Sequence, residues 1–336
     1  MTGSKARPTM KDVAGRAGVA VKTVSRVVNG EPGVRPQVVE RVRAAIGELG
    51  YRRNESARLL RTGQAASVGL VLEDIGDPFY ATLSRAVEDV AHQHGTLLVA
   101  GSSDEDPDRE RELTLALCAR RVDGLIIIPA SADHRYLLPE LAAGTAAVFV
   151  DRPPGLIEAD TVLSDNQRGA FEGVTHLLRQ AHHRIGFIGD LPHIYTAAHR
   201  YRGYLAAMTA AGQRVERSWV TLTRPDTTAI REALTRMLRG PVPVTALFCG
   251  NNRATALVLR ELRAARIRLA LVGFDDLELA DLVTPGTTVV AQDAAGLGRI
   301  AAQLLFRRLA GDRGPPQRVE LPTRLIIRGS AEFAPR

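Results

Sequence analysis

The opening sixty residues break into short helix-forming runs separated by glycines, a spacing that leaves room only for a small unit of three helices. From Thr9 the chain reads TMKDVAGRAGVAVKTVSRVVNG, then EPGVRPQVVERVRAAIGELGYRRNESARLLRTG. Thr9 followed three residues later by Asp12 has the pattern of a capping box; Val13 and Ala17 share a face and Gly18 ends the helix. A second helix is expected over about Val21–Asn29 and a third over about Pro36–Leu49. In the third, Pro36 suits the first turn, Val38, Val39, Val42, Ile46 and Leu49 form an apolar stripe, and Gly50 suits the position after the last turn.

Charge concentrates on this unit. Residues 1–61 hold thirteen Lys/Arg and five acidic residues, a balance of +8, whereas the whole 336-residue chain carries +7. The remainder is therefore close to neutral. The basic residues interleave with apolar ones at helical spacing, which separates them from a solvated tail and matches an electrostatic footprint for phosphates. No apolar run approaches the roughly 20 residues that span a bilayer, so no membrane partner is expected. The start, MTGSKARPTM, lacks a signal-peptide core, and Cys118 and Cys249 are isolated from one another in sequence. The expectation is a cytoplasmic protein with buried thiols. Lysine occurs only at Lys5, Lys11 and Lys22.

From Ser67 onwards the pattern changes to apolar strand-like runs alternating with amphipathic helical segments. Candidate strands are 68–72, 96–100, 122–128, 146–150, 184–189, 245–249, 269–273 and 323–328. Continuous Val/Ile/Leu runs separated by helices predict buried parallel strands in an α/β architecture.

The first 61 residues resemble the DNA-binding headpiece of the LacI/GalR family of bacterial transcription regulators. The rest resembles that family's periplasmic-binding-protein-like core, through D77-P78-F79-Y80, R121-V122-D123-G124, V150-D151-R152, S164-D165-N166, H183–G189, R200-Y201-R202-G203-Y204, V272-G273-F274-D275-D276 and A291-Q292-D293. The resemblance implies an all-α helix-turn-helix headpiece over 1–53, a hinge helix over 54–63, and an α/β two-lobed effector-binding and dimerisation core over 64–336. Lobe 1 would span about 64–161 and 292–320, and lobe 2 about 162–291 and 321–336, with the chain crossing near Thr161, Val290 and Leu321.

Helix-turn-helix units place the start of their second helix in the major groove. The resemblance assigns Val21, Lys22 and Arg26 to reading bases, and Thr9, Thr23, Ser25 and Asn29 to phosphate contact or to bracing the turn. The chemistry agrees: Lys22 and Arg26 donate to guanine's acceptor edge, and Val21 suits a thymine methyl. Thr23 and Ser25 could equally satisfy backbone groups. In the hinge, Asn54 is an N-cap, Ala57 allows close approach of paired hinge helices, Arg58 is a further DNA contact, and Leu60 matches the leucine that wedges between base steps. Core packing is the alternative for Leu60, but so short a helix has no core of its own.

In the core, the effector-contacting positions map to Phe79, Asp151, Arg200, Trp219, Asn251, Asp275 and Gln292. The acids can each accept from two sugar hydroxyls, Arg200 is a planar donor, and Phe79 and Trp219 offer flat faces; Tyr80 is a further aromatic that does not match an effector-contacting position of the family. Asp275 or Asp276 could instead cap a helix, Asp165 could order the crossover, and Trp219 could be a core aromatic. Several residues depart from the family: Ala20 and Arg35 stand where serine caps are usual, Arg53 where proline is, and Asn252 where aspartate is. The Phe-Thr-x-Glu segment usual after the Trp219 position is replaced by TLTRPDTTA.

No catalytic motif occurs: G-x-S-x-G, Walker A, G-x-G-x-x-G and H-E-x-x-H are all absent from the sequence. His182 and His183 are adjacent and do not share a face; Asp104, Asp106 and Asp108 read as a charged turn and helix start. A transport-type binding protein would need a signal peptide and no headpiece. The expectation is a homodimeric, non-enzymatic repressor on pseudo-palindromic double-stranded operator DNA, controlled by a small-molecule effector, first of all a sugar, with no cofactor and no metal. The alternative is a corepressor-dependent or activating regulator that answers to a purine, a phosphosugar or a partner protein.

Overall fold

A computed structural model describes residues 8–51 and 66–335. The chain divides into two compact units, with the boundary between Ala65 and Ala66. The first contains α1 (Met10–Ala17), α2 (Val21–Val28) and α3 (Pro36–Leu49). Val13, Ala14, Ala17, Val24, Val42, Ala45 and Tyr51 bury one another in a core built from all three helices and the residue that follows α3. Gly18 and Gly50 end α1 and α3 in the left-handed conformation, φ 62° and 63°, where a Cβ would be strained.

The second unit is built on two six-stranded sheets. The first contains β1 (Ser67–Leu72), β2 (Leu97–Ser102), β3 (Gly124–Ile127), β4 (Ala146–Val150), β5 (Asp160–Ser164) and β11 (Arg318–Leu321); the second contains β6 (Ile185–Gly189), β7 (Val220–Leu222), β8 (Ala246–Cys249), β9 (Ala270–Phe274), β10 (Thr288–Ala291) and β12 (Arg324–Ile326). The orders are β11-β5-β4-β3-β1-β2 and β12-β10-β9-β8-β6-β7. Read from the edge, the two lobes have the same topology, with β1 matching β6, β4 matching β9 and so on. Every pairing is parallel except β10 with β12.

The helices are α4 (Pro78–Gln93), α5 (Pro107–Ala119), α6 (Leu138–Ala142), α7 (Asn166–Arg179), α8 (Tyr195–Ala210), α9 (Thr227–Arg239), α10 (Asn252–Ala264) and α11 (Ala294–Leu309). Leu83 and Val87 of α4 share one core with Leu297, Ala301 and Leu305 of α11 and with β1, β3 and β4. A second core covers the opposite face of that sheet with Leu117, Leu125, Ile127 and Phe149. Lobe 2 has its own core, from Val174 and Leu177 of α7 through Phe187, Phe248 and Phe274.

Three sequence expectations are corrected. The chain first leaves sheet 1 after Ser164, not near Thr161, because 160–164 is a strand of that sheet. Strands at 160–164, 220–222, 288–291 and 318–321 were not among the expected runs. The segment 323–328 is not a buried parallel strand: β12 runs antiparallel and is half-exposed, since it returns from lobe 1 to close the edge of sheet 2.

Candidate functional site

In the first unit, the capping box at Thr9 is complete. Asp12 N–H donates to Thr9 Oγ1 at 3.4 Å, and the Asp12 carboxylate accepts from Thr9 N–H and Oγ1–H at 2.7 Å each. Those hydrogen bonds hold the Asp12 carboxyl below its usual range. No side chain caps α2 at Ala20 or α3 at Arg35. Uncapped backbone N–H groups and Lys22 thus gather at the start of α2, where Val21 is 42% exposed, and a helix N-terminus of this kind favours anions. Thr23 is half-buried.

Further along α2 the side chains turn inward on the chain itself. Asn29 Nδ2 donates to Ser25 Oγ at 3.2 Å and to Glu31 Oε1 at 3.3 Å. The Arg26 guanidinium donates to the Pro32 carbonyl and lies 3.7 Å from Glu31. Ser25, Arg26 and Asn29 therefore brace the α2–α3 connection, and of the three base-readers assigned from sequence, Val21 and Lys22 are the two the structure leaves projecting. Asn54, Ala57, Arg58 and Leu60 lie outside the described residues.

In the second unit the strand tips of the two sheets face a common cleft. Its walls enclose about 510 Å3 of space, part of it open to solvent. Phe79, Asp151, Arg200, Asn251, Asp275 and Gln292 all line it. The matched topology of the lobes gives matched chemistry. Asp151 follows β4 and Asp275 follows β9, both in the left-handed conformation, φ 69° and 68°, which aspartate tolerates better than most residues. Glu73 follows β1 and Asp190 follows β6, and both also line the cleft.

Each lobe also buries one arginine. In lobe 2, Arg200 donates through Nε to Asn166 Oδ1 at 2.7 Å, and through Nη1 to the Gly250 carbonyl at 2.8 Å and to Asp275 Oδ2 at 3.4 Å; it lies 4.0 Å from the centre of the Phe274 ring. Gln292 Nε2 holds the other Asp275 oxygen at 2.6 Å. Gly203 makes this placement possible, since a Cβ there would come within 2.2 Å of the Gln167 carbonyl; without one, α8 lies against α7 and Arg200 reaches Asn166.

In lobe 1, Arg152 donates to Glu73 Oε2 at 2.9 Å, Glu105 Oε1 at 2.5 Å and the Pro129 carbonyl at 2.8 Å. Burial would raise the Glu73 carboxyl, but Arg152 and the hydrogen bonds around it hold it below its usual value. Burial lifts Glu105 to about 7 even though it pairs with the same arginine, since one guanidinium cannot neutralise two carboxylates. Tyr80 belongs to this cluster, its hydroxyl donating to Glu73 at 2.9 Å.

The lobes are tied across the cleft. Asn252 Nδ2 donates to Asp77 Oδ1 at 2.8 Å, and Arg253 contacts Asp74 at 2.5 Å and Glu73 at 3.5 Å. Near the rim, Arg224 pairs with Asp104 at 2.7 Å. Asn252 is the departure noted from sequence; its amide donates where an aspartate would set a second carboxylate against Asp77.

Two assigned residues need restating. Trp219 does not line the cleft. It ends a 3-10 turn, Arg217–Trp219, is 4% exposed within the lobe 2 core, and donates its indole N–H to the Val242 carbonyl at 2.8 Å; the core reading of this residue is the correct one. Asn251 lines the cleft, but its amide is engaged: Oδ1 caps α10 by accepting from Ala254 N–H at 2.8 Å, and Nδ2 donates to Asp190 at 3.2 Å. Sequence reasoning missed Glu73, Asp77, Arg152, Asp190 and Arg253. Position immediately after β1 and β6 was a usable signal for Glu73 and Asp190; nothing local marked Arg253, whose partners lie some 180 residues away.

Among the described residues no helix is long and apolar enough to cross a membrane. The family model for bacterial regulatory proteins of the lacI family matches residues 9–54, and that for a periplasmic binding protein-like domain matches 174–331. The regulator GalS of Salmonella typhimurium is 31% identical over 316 residues, covering 90% of each chain. Among solved structures, the regulator CelR in complex with cellobiose is 31% identical with a TM-score of 0.69, over 96% of this chain and 100% of that one. The lac repressor dimer on operator is 24% identical with a TM-score of 0.85, over 97% and 99%, a likeness of fold. A helix-turn-helix unit with an open, anion-favouring helix start, a two-lobed core with convergent polar groups in its cleft, and relatives alike over nearly their whole length lead to one conclusion: the chain belongs to the LacI/GalR family and is a DNA-binding transcriptional regulator with an effector-binding core, not an enzyme.

Proposed function

We propose that the protein is a homodimeric repressor whose affinity for a pseudo-palindromic operator is set by a sugar held between the lobes. One observation carries this reading: Asp151, Asp275 and Arg200, three buried charged side chains from both lobes, converge on a cleft that the lobes close around. Such groups suit the paired hydroxyls of a sugar, and the related CelR was solved with cellobiose. Effector-dependent closure would change the spacing of the paired hinge segments assigned from sequence to 54–63, coupling ligand to DNA. Lys22 and Val21 would read base edges; Thr9, Thr23, Ser25, Arg26 and Asn29 would position the unit on phosphates; Asn54, Ala57, Arg58 and Leu60 would act in the minor groove. Support for a dimer comes from β2, an edge strand with Leu97 67% and Val99 37% exposed, since an open apolar edge invites a partner. In the cell such a protein works in the cytoplasm, on the nucleoid.

Fluorescence anisotropy on the DNA upstream of its own gene, with and without a panel of sugars and nucleobases, tests the reading. A sugar that weakens binding supports it. A compound that strengthens binding makes the protein corepressor-dependent, and a nucleobase as the active compound replaces the sugar.

A further inference from the structure

We propose that the effector carries a protonated amine on a polyhydroxylated frame, as an amino sugar does, and that the cleft rejects phosphorylated sugars. The inference rests on the cleft being the effector site.

The cleft is lined by five carboxylates, Glu73, Asp77, Asp151, Asp190 and Asp275, against three guanidinium groups. Every guanidinium already faces at least one carboxylate. Arg152 is held by Glu73, Glu105 and the Pro129 carbonyl, its Nε–H standing 3.6 Å from Asp151 without a hydrogen bond; Arg200 is held by Asn166, the Gly250 carbonyl and Asp275, and Arg253 by Asp74 and Glu73. An incoming phosphate would meet excess negative charge and no arginine free of a carboxylate.

A second observation points to what the ligand must offer. Asp151 is 2% exposed, lines the cleft, and its Oδ1 has no hydrogen-bond partner. Gln292 Oε1, beside Asp275 in the cleft lining, has none either. The amide oxygen only accepts, as does the Asp151 carboxylate in its ionised form, so a ligand that donates at both places satisfies them. A buried acceptor left unsatisfied is costly, and an ammonium satisfies an anionic one best.

Charge selects ammonium over a neutral hydroxyl. Burial raises the carboxyls of Asp77, Asp151 and Asp190; Asp275 adds to this at Asp77 and Asp151 and Glu73 at Asp151 and Asp190, and the nearby arginines and hydrogen bonds only partly offset it. A cation among them relieves all three. A metal ion is the other cation to consider, but no group of three or more ligand-type side chains among the described residues is placed to hold one.

Calorimetric titration of the full-length protein with matched sets tests this. Each set comprises a hexose, its 2-amino-2-deoxy form, the N-acetylated amine and the 6-phosphate, built on glucose, galactose and mannose. In at least one set the free amine should bind about tenfold or more tighter than its parent, the usual margin for a charge-assisted hydrogen bond. N-acetylation, which keeps the nitrogen and removes the charge, should abolish the gain. Asp151→Asn should bring amine and parent to near equality. A parent hexose binding as tightly as its amine overturns the inference and leaves the sugar reading intact. A tighter phosphate overturns it as well. Silence from every set, with DNA binding retained, removes the amino sugar and the sugar reading together. The wild-type comparison decides even if the variant does not fold.

Discussion

Lobes 1 and 2 share a strand order and place acids at the same strand tips, yet they use their buried arginine differently. In lobe 2, Arg200 satisfies one carboxylate, Asp275, and its remaining donors go to neutral oxygens of Asn166 and Gly250. In lobe 1, Arg152 is shared by Glu73 and Glu105 and stands 3.6 Å from one oxygen of Asp151, whose other oxygen has no partner. Lobe 2 pairs its carboxylate on both oxygens and leaves only the neutral Gln292 Oε1 open to a ligand. Lobe 1 presents unbalanced negative charge, where ligand or proton completes the electrostatics. Fold symmetry therefore fixes where functional groups stand but not their charge state.

The largest effect that could break this comparison comes from removing each arginine. Arg200→Ala should destabilise the core by about 3–5 kcal/mol, the range for stranding a buried charge, in urea unfolding, with little difference between pH 5 and pH 8. Arg152→Ala should be similarly severe at pH 8 but milder at pH 5, because Glu105 can take up a proton. Equal pH responses in the two variants would contradict the distinction between the lobes.

Glu105→Gln sharpens it. The Glu105 pKa is raised from 4.5 to about 7 in the folded state, so the native protein binds the extra proton more tightly than the unfolded chain does. The stability this gives is fully present below pH 4.5 and is lost as pH rises through about 7. Thermal unfolding of Glu105→Gln between pH 4.5 and 8 should be flatter than wild type; an unchanged slope would place the titration elsewhere.

Asn252→Asp tests what holds the lobes together. Setting a carboxylate against Asp77 should favour the open arrangement and weaken effector binding by about tenfold, equivalent to about 1.4 kcal/mol, with a larger radius of gyration in X-ray scattering. Unaltered affinity and size would show that Arg253 and Arg224 suffice to tie the lobes.

The smallest effect lies outside the core. Ala20→Ser should supply the cap that α2 lacks and stabilise the first unit by about 1 kcal/mol, read as a shift in its unfolding while the core transition stays put.

How much of this was legible in the sequence varied with how local the determining physics is. The three helices of the first unit came within a residue of their observed bounds, because Thr9, Gly18, Pro36 and Gly50 act within one turn of where they stand. The strands missed were 220–222 and 318–321, edge strands with polar or half-exposed residues, and 160–164 and 288–291, short strands that begin or end on polar residues. The acids after β4 and β9 were recognisable as strand-tip residues. Trp219 could not be placed, since an aromatic near a strand serves a core or a cleft equally well until its neighbours are known. Arg253 and the Asn252–Asp77 contact depend on two lobes meeting, a tertiary event without a local signature.

In the proposed function the cleft and the DNA-binding unit share one free energy. Operator affinity should be measured by anisotropy with and without saturating effector, and effector affinity by calorimetry with and without operator. The two ratios should agree, since coupling between two binding sites is reciprocal. An operator affinity that shifts while effector affinity is blind to operator, or no shift in either direction, would contradict this coupling.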